Sequence, residues 1–291
     1  MTTEALTPTR IGPTTFAWGE RTFVMGILNV TPDSFSGDGL IQRRDPVGAA
    51  LDQARRMVDE GADLLDIGGE STRPGHTPVE AAEEIGRVVP VIAAVRDALP
   101  DVPLSIDTTK VVVAEAALAA GVALLNDVWG VGPDPAMAEL PATAGVPLIV
   151  MHNRYVARYD DVVAEVVDDL RAALERAERT GVPREHLIVD PGIGFGKTAD
   201  HNVTLLHQLD ALTELRRPIL LGTSRKSTIG RILDLPADER LEGTLATTAL
   251  GVAAGVDIVR VHDVRANVRA ARVADAIVRG RWRSEPEGGR A

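Results

Sequence analysis

Charged and amide side chains recur in one kind of place in this chain: after a short apolar run and before a loop of glycine or other turn-forming residues. Leu187-Ile188-Val189 delivers Asp190 into PGIGFGKT, and the same layout recurs at Asn29, Asp66, Asp107, Asn126, His152, Ser224 and His262. Asp107, Asp190 and Asn126 together suit the edge of a flat heterocycle bearing N–H donors, where each charge-assisted hydrogen bond contributes roughly 1.5–3 kcal/mol. Any one of these aspartates could instead cap the next helix; both, with Asn126, at equivalent positions argue for a shared site. Cations gather too, at Arg73, at Arg225 with Lys226, and at Arg260 with His262. Arg260 and His262 have the same strand parity and point the same way. In a chain of net charge −11 such a cluster suits a phosphate or pyrophosphate. Ion pairing with surface acids is the plainer account, credible for Arg225 and less so for an Arg-Val-His strand.

No Asp/His/Glu spacing resembles a three-ligand zinc site. A loosely held Mg²⁺, brought in by phosphate oxygens and touched by Asn29, fits better, although Asn29 could equally be a turn residue. GIGFGK lacks the glycine spacing of dinucleotide and P-loop fingerprints. Phe195, set among glycines, reads as a stacking ring, and Lys197 reads as structural.

Such residues act together only if one scaffold brings them to one face. Strands are expected over Phe23–Leu28, Leu64–Ile67, Leu104–Ile106, Ala123–Leu125, Leu148–Met151, Leu187–Val189, Pro218–Leu221 and Ile258–Val261. Between them lie helical patterns: one capped by Asp45-Pro46 and stopped at Gly61, one opened by a Thr77–Glu80 capping box and kinked at Pro90, one from Lys110 to Gly121, and one from Asp160 to Arg179. Further helices fall at 199–213, within 225–254 and near 264–279. Buried strands alternating with amphipathic helices call for a parallel sheet. Eight such units in about 250 residues match a single α/β domain, a (β/α)₈ TIM barrel, better than an open doubly wound sheet. In a barrel all eight strand ends share one mouth; an open sheet would scatter several of them. Residues 1–22 form an N-terminal segment in which 14–23 alternates around Gly19-Glu20, suggesting a hairpin, with a plug at the barrel bottom as one role; the barrel spans 23–280, and 281–291 is compositionally disordered.

The bulk numbers set limits. Of 291 residues, 45% are hydrophobic and 25% charged, enough for a substantial core, and only 3% are aromatic, so that core is aliphatic. An excess of 42 Asp+Glu over 31 Lys+Arg argues against nucleic-acid or anionic-membrane partners. Zero cysteines exclude disulfides, thiolate zinc sites and cysteine nucleophiles. The N-terminus has no apolar signal region and no run of about 18 apolar residues follows, so a cytoplasmic protein is expected.

Seven motifs in order, NVTPDSFS, DIGGESTRPG, SIDT, NDV, DPGIGFGKT, GTSRKS and RVHDV, resemble the dihydropteroate synthase family of folate biosynthesis from about Val24 to Val264. The resemblance implies a (β/α)₈ barrel that joins 6-hydroxymethyl-7,8-dihydropterin pyrophosphate to 4-aminobenzoate, giving 7,8-dihydropteroate and pyrophosphate. By motif, Asp107, Asn126, Met151, Asp190, Phe195 and Lys226 would bind the pterin. Asn29, Arg73, Arg260 and His262 would hold the pyrophosphate, with Asn29 on Mg²⁺. Phe35, Thr72, Pro74 and Ser224 would frame the aminobenzoate. Asp107, Asp190, Lys226, Arg260 and His262 would carry catalysis, which ionises the C–O bond before the aryl amine attacks. The first loop reads SFSGDG where SFSDGG is common, displacing Asp38 by one position. The family also implies a homodimer through C-terminal helices, with which the apolar segment 245–256 agrees. A pterin-binding methyltransferase domain resembles the same barrel, but would not need the STRPG and RVHD cations. A silent paralogue that binds pterin without turnover is a third reading.

Overall fold

The computed structural model describes residues 6–31, 45–70, 78–130 and 135–280. Two short strands, β1 (Thr9–Ile11) and β2 (Thr14–Phe16), pair antiparallel. Eight parallel strands follow: β3 (Phe23–Asn29), β4 (Leu64–Gly68), β5 (Leu104–Asp107), β6 (Leu124–Asp127), β7 (Leu148–Met151), β8 (Leu187–Asp190), β9 (Leu220–Leu221) and β10 (Ile258–Val261). Their order around the sheet is β8-β7-β6-β5-β4-β3-β10-β9. The two ends of that order meet through a parallel bridge between Val189 and Ile219, with the Val189 N–H donating to the Pro218 carbonyl at 2.9 Å. The sheet therefore closes, as the alternating pattern predicts. The β9 ladder is shorter than the expected Pro218–Leu221: Pro218 has no N–H to give, and the Ile219 N–H donates to the Asp257 carboxylate at 3.0 Å instead.

The helices are α1 (Pro46–Asp59), α2 (Ala81–Ala98), α3 (Val111–Ala120), α4 (Pro135–Ala144), α5 (Val162–Arg179), α6 (Ala199–His207), α7 (Ser227–Leu233), α8 (Leu241–Ala253) and α9 (Val264–Val278). Local chemistry sets their starts. The Asp45 carboxylate accepts from the Gly48 N–H at 2.9 Å with Pro46 in the first turn, and Asp161 accepts from Val163 and Ala164 at 3.0 and 3.1 Å. α2 departs from expectation: Glu80 stands at its N-cap without a side-chain bond, and Thr77 lies outside the described residues. The predicted 199–213 helix is α only to His207, after which a 3₁₀ stretch spans Leu209–Leu215.

The apolar residues divide by strand parity. Outward positions such as Leu65, Ile67, Leu104, Ile106 and Val150 pack under the helices, while Met25, Leu64, Leu124, Ile149, Ile188, Leu220 and Ile258 fill the barrel's lower interior. The N-terminal hairpin packs on that lower layer with Ile11, Phe16 and Trp18, so its place at the barrel bottom is as expected. Its turn is not at Gly19-Glu20. The chain reverses at Gly12-Pro13, Gly12 taking φ 55°, and the alternation over 14–23 reflects aromatics pointing into the floor rather than pairing across Gly19. Phe16 lies 4.7 Å edge-on from Phe23 and 5.6 Å from the stacked Trp18, whose indole N–H donates to Thr9 at 2.9 Å.

Because Phe16 is fully buried, Phe16→Ala is expected to cost about 3–5 kcal/mol of stability, measured as a lower urea midpoint at unchanged slope.

Candidate active site

One step above the apolar floor, the same inward parity that buries Leu64, Leu124, Ile188 and Ile258 presents Asp66, Asn126, Asp190 and Arg260, and β5 adds Asp107. Each carboxylate or amide here is nearly inaccessible: Asp66 0%, Asn126 4%, Asp190 5% and Asp107 6% exposed. A polar layer at that depth persists only if its groups are paired. Arg260 does most of the pairing. Its Nε donates to Asp66 Oδ2 at 2.6 Å and its Nη2 to Asp107 Oδ2 at 2.7 Å. Asn126 Nδ2 donates to the same Asp66 oxygen at 3.0 Å. That bond fixes which way the Asn126 amide faces.

Asp190 is held from its own loop, its Oδ1 accepting from the Gly192 N–H at 2.7 Å. Inward-facing Gly222 leaves the space between the strands open, since a Cβ there would stand 3.8 Å from Asp190 Oδ2, 3.9 Å from Lys226 Nζ and 4.0 Å from the Arg260 Cβ. Lys226 Nζ also donates to the Ile193 carbonyl and stands 4.7 Å over the centre of the Phe195 ring. Asp107 Oδ1 is buried without a protein partner. The arrangement is a slot with acceptors on its floor, a cation above, and a half-exposed ring at its side.

At the rim, Ser224 Oγ lies 2.9 Å from His262 Nδ1. Asn29 ends β3, its Oδ1 4.0 Å from where a Cβ on Gly68 would stand. Among the described residues no group of three or more His, Cys, Asp or Glu could hold a metal alone.

Several expectations change. His152 does not face the mouth: β7 points Ile149 and Met151 inward, so the next residue turns to the helix layer, where His152 Nε2 meets Asp169 of α5 at 3.0 Å. Arg260 is ion-paired after all, with carboxylates of the barrel interior rather than of the surface. Arg225 pairs with Asp263 at 2.8 Å, the plainer reading of that residue. Phe35, Asp38, Thr72, Arg73 and Pro74 lie outside the described residues. Asn126, Met151, Asp190, Phe195, Lys226 and Asp107 are brought together as expected. Sequence reasoning placed Asp66 at a strand end but gave it no role. Its signal was an aspartate at the centre of a fully buried strand, LLDIG, where a charge must have a partner.

Burial raises the carboxyls. Asp107 is pushed up to about 7 by burial, against the pull of Arg260, with Asp66 and Glu84 adding to the rise and Lys226 opposing it. Asp190 is also raised by burial, with Lys226 and the Gly192 N–H opposing. Arg260 is raised, since the attraction of Asp66 and Asp107 outweighs its own desolvation.

The pterin binding enzyme family matches residues 25–262. A dihydropteroate synthase of Clostridium beijerinckii is 49% identical over 271 residues, covering 93% of this chain and 99% of that one. A solved dihydropteroate synthase of Clostridium difficile, obtained with pteroic acid, superposes with a TM-score of 0.87 at 49% identity, covering 91% of this chain and 99% of its own. A Xanthomonas albilineans dihydropteroate synthase solved with 4-aminobenzoic acid gives 0.86 at 42% identity, covering 93% and 98%.

The raised Asp107 makes a signed prediction. Between its ordinary 3.8 and about 7 the folded protein keeps a proton that the unfolded chain has lost, so this group's stabilising contribution is full below that window and is lost as pH rises through it. Asp107→Asn is expected to flatten the decline in unfolding free energy between pH 5 and pH 8, read from urea midpoints. A curve parallel to that of the unsubstituted protein would show that Asp107 is not the titrating group.

Proposed function

The chain belongs to the dihydropteroate synthases, transferases of the pterin-binding family, and on that premise we propose how its mouth divides between two substrates, a metal ion and a leaving group. The reaction is the condensation of 6-hydroxymethyl-7,8-dihydropterin pyrophosphate with 4-aminobenzoate to 7,8-dihydropteroate and pyrophosphate, a step of folate biosynthesis.

The observation that carries the assignment of the floor is the buried, unpartnered Asp107 Oδ1 in one layer with Asn126 and Asp190. A pterin edge offers N–H donors, and a donor reaching Asp107 Oδ1 satisfies an unmet buried group as well as making a charge-assisted bond. Met151 and Phe195 flank the ring, and Lys226 reaches it from above Phe195. Asp66, through Oδ2, sets the Asn126 amide and the Arg260 fork. Arg260, with Nε and Nη2 occupied by the two carboxylates, turns its remaining end toward the leaving group with His262 and Arg73. By motif, Thr72, Pro74 and Phe35 join Ser224 as residues assigned to the aminobenzoate.

The donor set at the rim suits Mg²⁺ held mainly by substrate: one amide oxygen, Asn29, would complete a shell of phosphate oxygens and water. An ion bound there would supply positive charge to offset that of the departing pyrophosphate. The protein's own groups do the rest. Arg260 and His262 stabilise the pyrophosphate as the C–O electron pair leaves with it, and Asp107 and Asp190 hold an electron-rich ring that bears the resulting positive charge. The aryl amine then forms the new C–N bond and loses its proton. No covalent nucleophile is required.

We propose a homodimer through the last three helices. Ile232, Leu250, Val273 and Ile277 of α7, α8 and α9 are 61–77% exposed, while Thr244, Thr248 and Val252 of α8 are buried, so the apolar 245–256 segment both packs the barrel and leaves a face outside. No described helix is long and apolar enough to cross a membrane. We place the enzyme in the cytoplasm, consistent with a chain that has no cysteine.

Purified protein with Mg²⁺ should release pyrophosphate only when both substrates are present, and EDTA should suppress that release. Absence of release at saturating substrates would overturn the assignment. Leu250→Lys with Ile277→Lys should shift the sedimentation coefficient from dimer to monomer.

A further inference from the structure

Outside the slot, a second buried polar cluster lies behind the loop that follows β8, and the mechanism above does not use it. Its centre is Lys197. The ammonium Nζ donates to the carbonyls of Gly192 and Phe195, each at 3.1 Å, and meets His152 Nδ1 at 2.7 Å; the His152 carbonyl lies farther off at 3.5 Å. His152 Nε2 faces the Asp169 carboxylate at 3.0 Å, which can only accept, so Nε2 carries the proton and Nδ1 accepts from Lys197. Three donors thus meet three close acceptors. A neutral amine has two donors and leaves one acceptor unmet.

The loop gripped this way cannot shift without losing more than these bonds. Gly192 takes φ 66° and a Cβ on it would stand 1.9 Å from the His152 carbonyl oxygen; Gly196 takes φ 54° with the Arg154 carbonyl oxygen 2.3 Å from the same imagined atom. The Tyr159 hydroxyl donates to the Gly196 carbonyl at 2.8 Å. The Gly192 peptide is therefore held from both sides: its N–H by Asp190 Oδ1, its carbonyl by Lys197. Phe195 is fixed likewise, its N–H donating to Gly192 at 3.0 Å and its carbonyl accepting from Lys197.

We infer that Lys197 is a positioning residue of the pterin slot: its ammonium ties the Gly192–Gly196 loop to the end of β7 and so sets where Asp190 and Phe195 stand. The inference rests on the pterin reading of that slot. It also carries a pH signature. Burial draws Lys197 down to about 7; Asp190 and Asp169 favour its charge, while Lys226 and Arg154 oppose it. His152, its remaining neighbour, is lowered to about 4, chiefly by burial and then by Lys197 itself, and stays neutral throughout. As pH rises through about 7 the ammonium is lost, one acceptor is released and the loop loosens.

The test is steady-state kinetics of Lys197→Met and Lys197→Arg with both substrates from pH 5.5 to 9. For Lys197→Met, kcat/KM for the pterin pyrophosphate is expected to fall by about tenfold to a hundredfold, at the scale of a misplaced contact. The circular dichroism spectrum should be unchanged, and the decline expected of the unsubstituted enzyme above about pH 7 should be absent. Lys197→Arg keeps its charge and should recover part of the rate without that decline. A folded Lys197→Met with constants within about twofold of the parent and the same pH profile overturns the inference. If Lys197→Met does not fold, an unchanged profile in Lys197→Arg overturns it equally. Failure of the parent enzyme to release pyrophosphate would instead count against the slot assignment, so the two failures are distinguishable.

Discussion

One guanidinium shared between two buried carboxylates is the interaction on which the slot depends. Arg260 comes from the last strand, Asp66 from the second of the barrel and Asp107 from the third, so their meeting requires that the last strand has paired beside the first. Loss of Arg260 would leave two carboxylates stranded in the interior, at a cost of about 3–5 kcal/mol, whereas the intact trio roughly offsets its own desolvation. Its contribution is to geometry more than to stability. Arg260 and Asn126 both bond the same Asp66 oxygen, Oδ2, so the buried Oδ1 atoms of Asp66 and Asp107 are left as unmet acceptors of the kind a flat, donor-rich ring would need.

Much of this was legible in the sequence because parallel strands report their own ends. A buried β-run followed by a glycine or proline turn marks a strand terminus, and eight such termini are enough to argue for one mouth. Asp107, Asn126, Asp190, Lys226 and Phe195 converge as that logic requires. The errors share a cause. His152 was one residue past a strand end, and a single step along a strand reverses the face a side chain presents. The hairpin was placed at Gly19-Glu20 because alternation alone cannot tell a paired strand from aromatics packed on a floor.

Partners were less legible than positions. Parity told which way Arg260 points but not what waits there, because Asp66 is 194 residues away and adjacent only through the β3–β4 and β3–β10 pairings. Lys197 shows the same limit from the other side. The sequence reads it as structural without naming what it ties, and the carbonyls of Gly192 and Phe195 supply that.

The hairpin at the barrel bottom has a consequence for traffic. Ile11, Phe16 and Trp18 seal the end opposite the mouth, so the polar layer is the bottom of a blind well. Anything lying on that layer exchanges with solvent only past whatever lies above it. A ring on the floor must therefore arrive before its covering partner, and a joined product must leave by the way its parts came in. The packed lower layer of Met25, Leu64, Leu124, Ile149, Ile188, Leu220 and Ile258, backed by the hairpin, thereby imposes an order of entry on the chemistry at the opposite end.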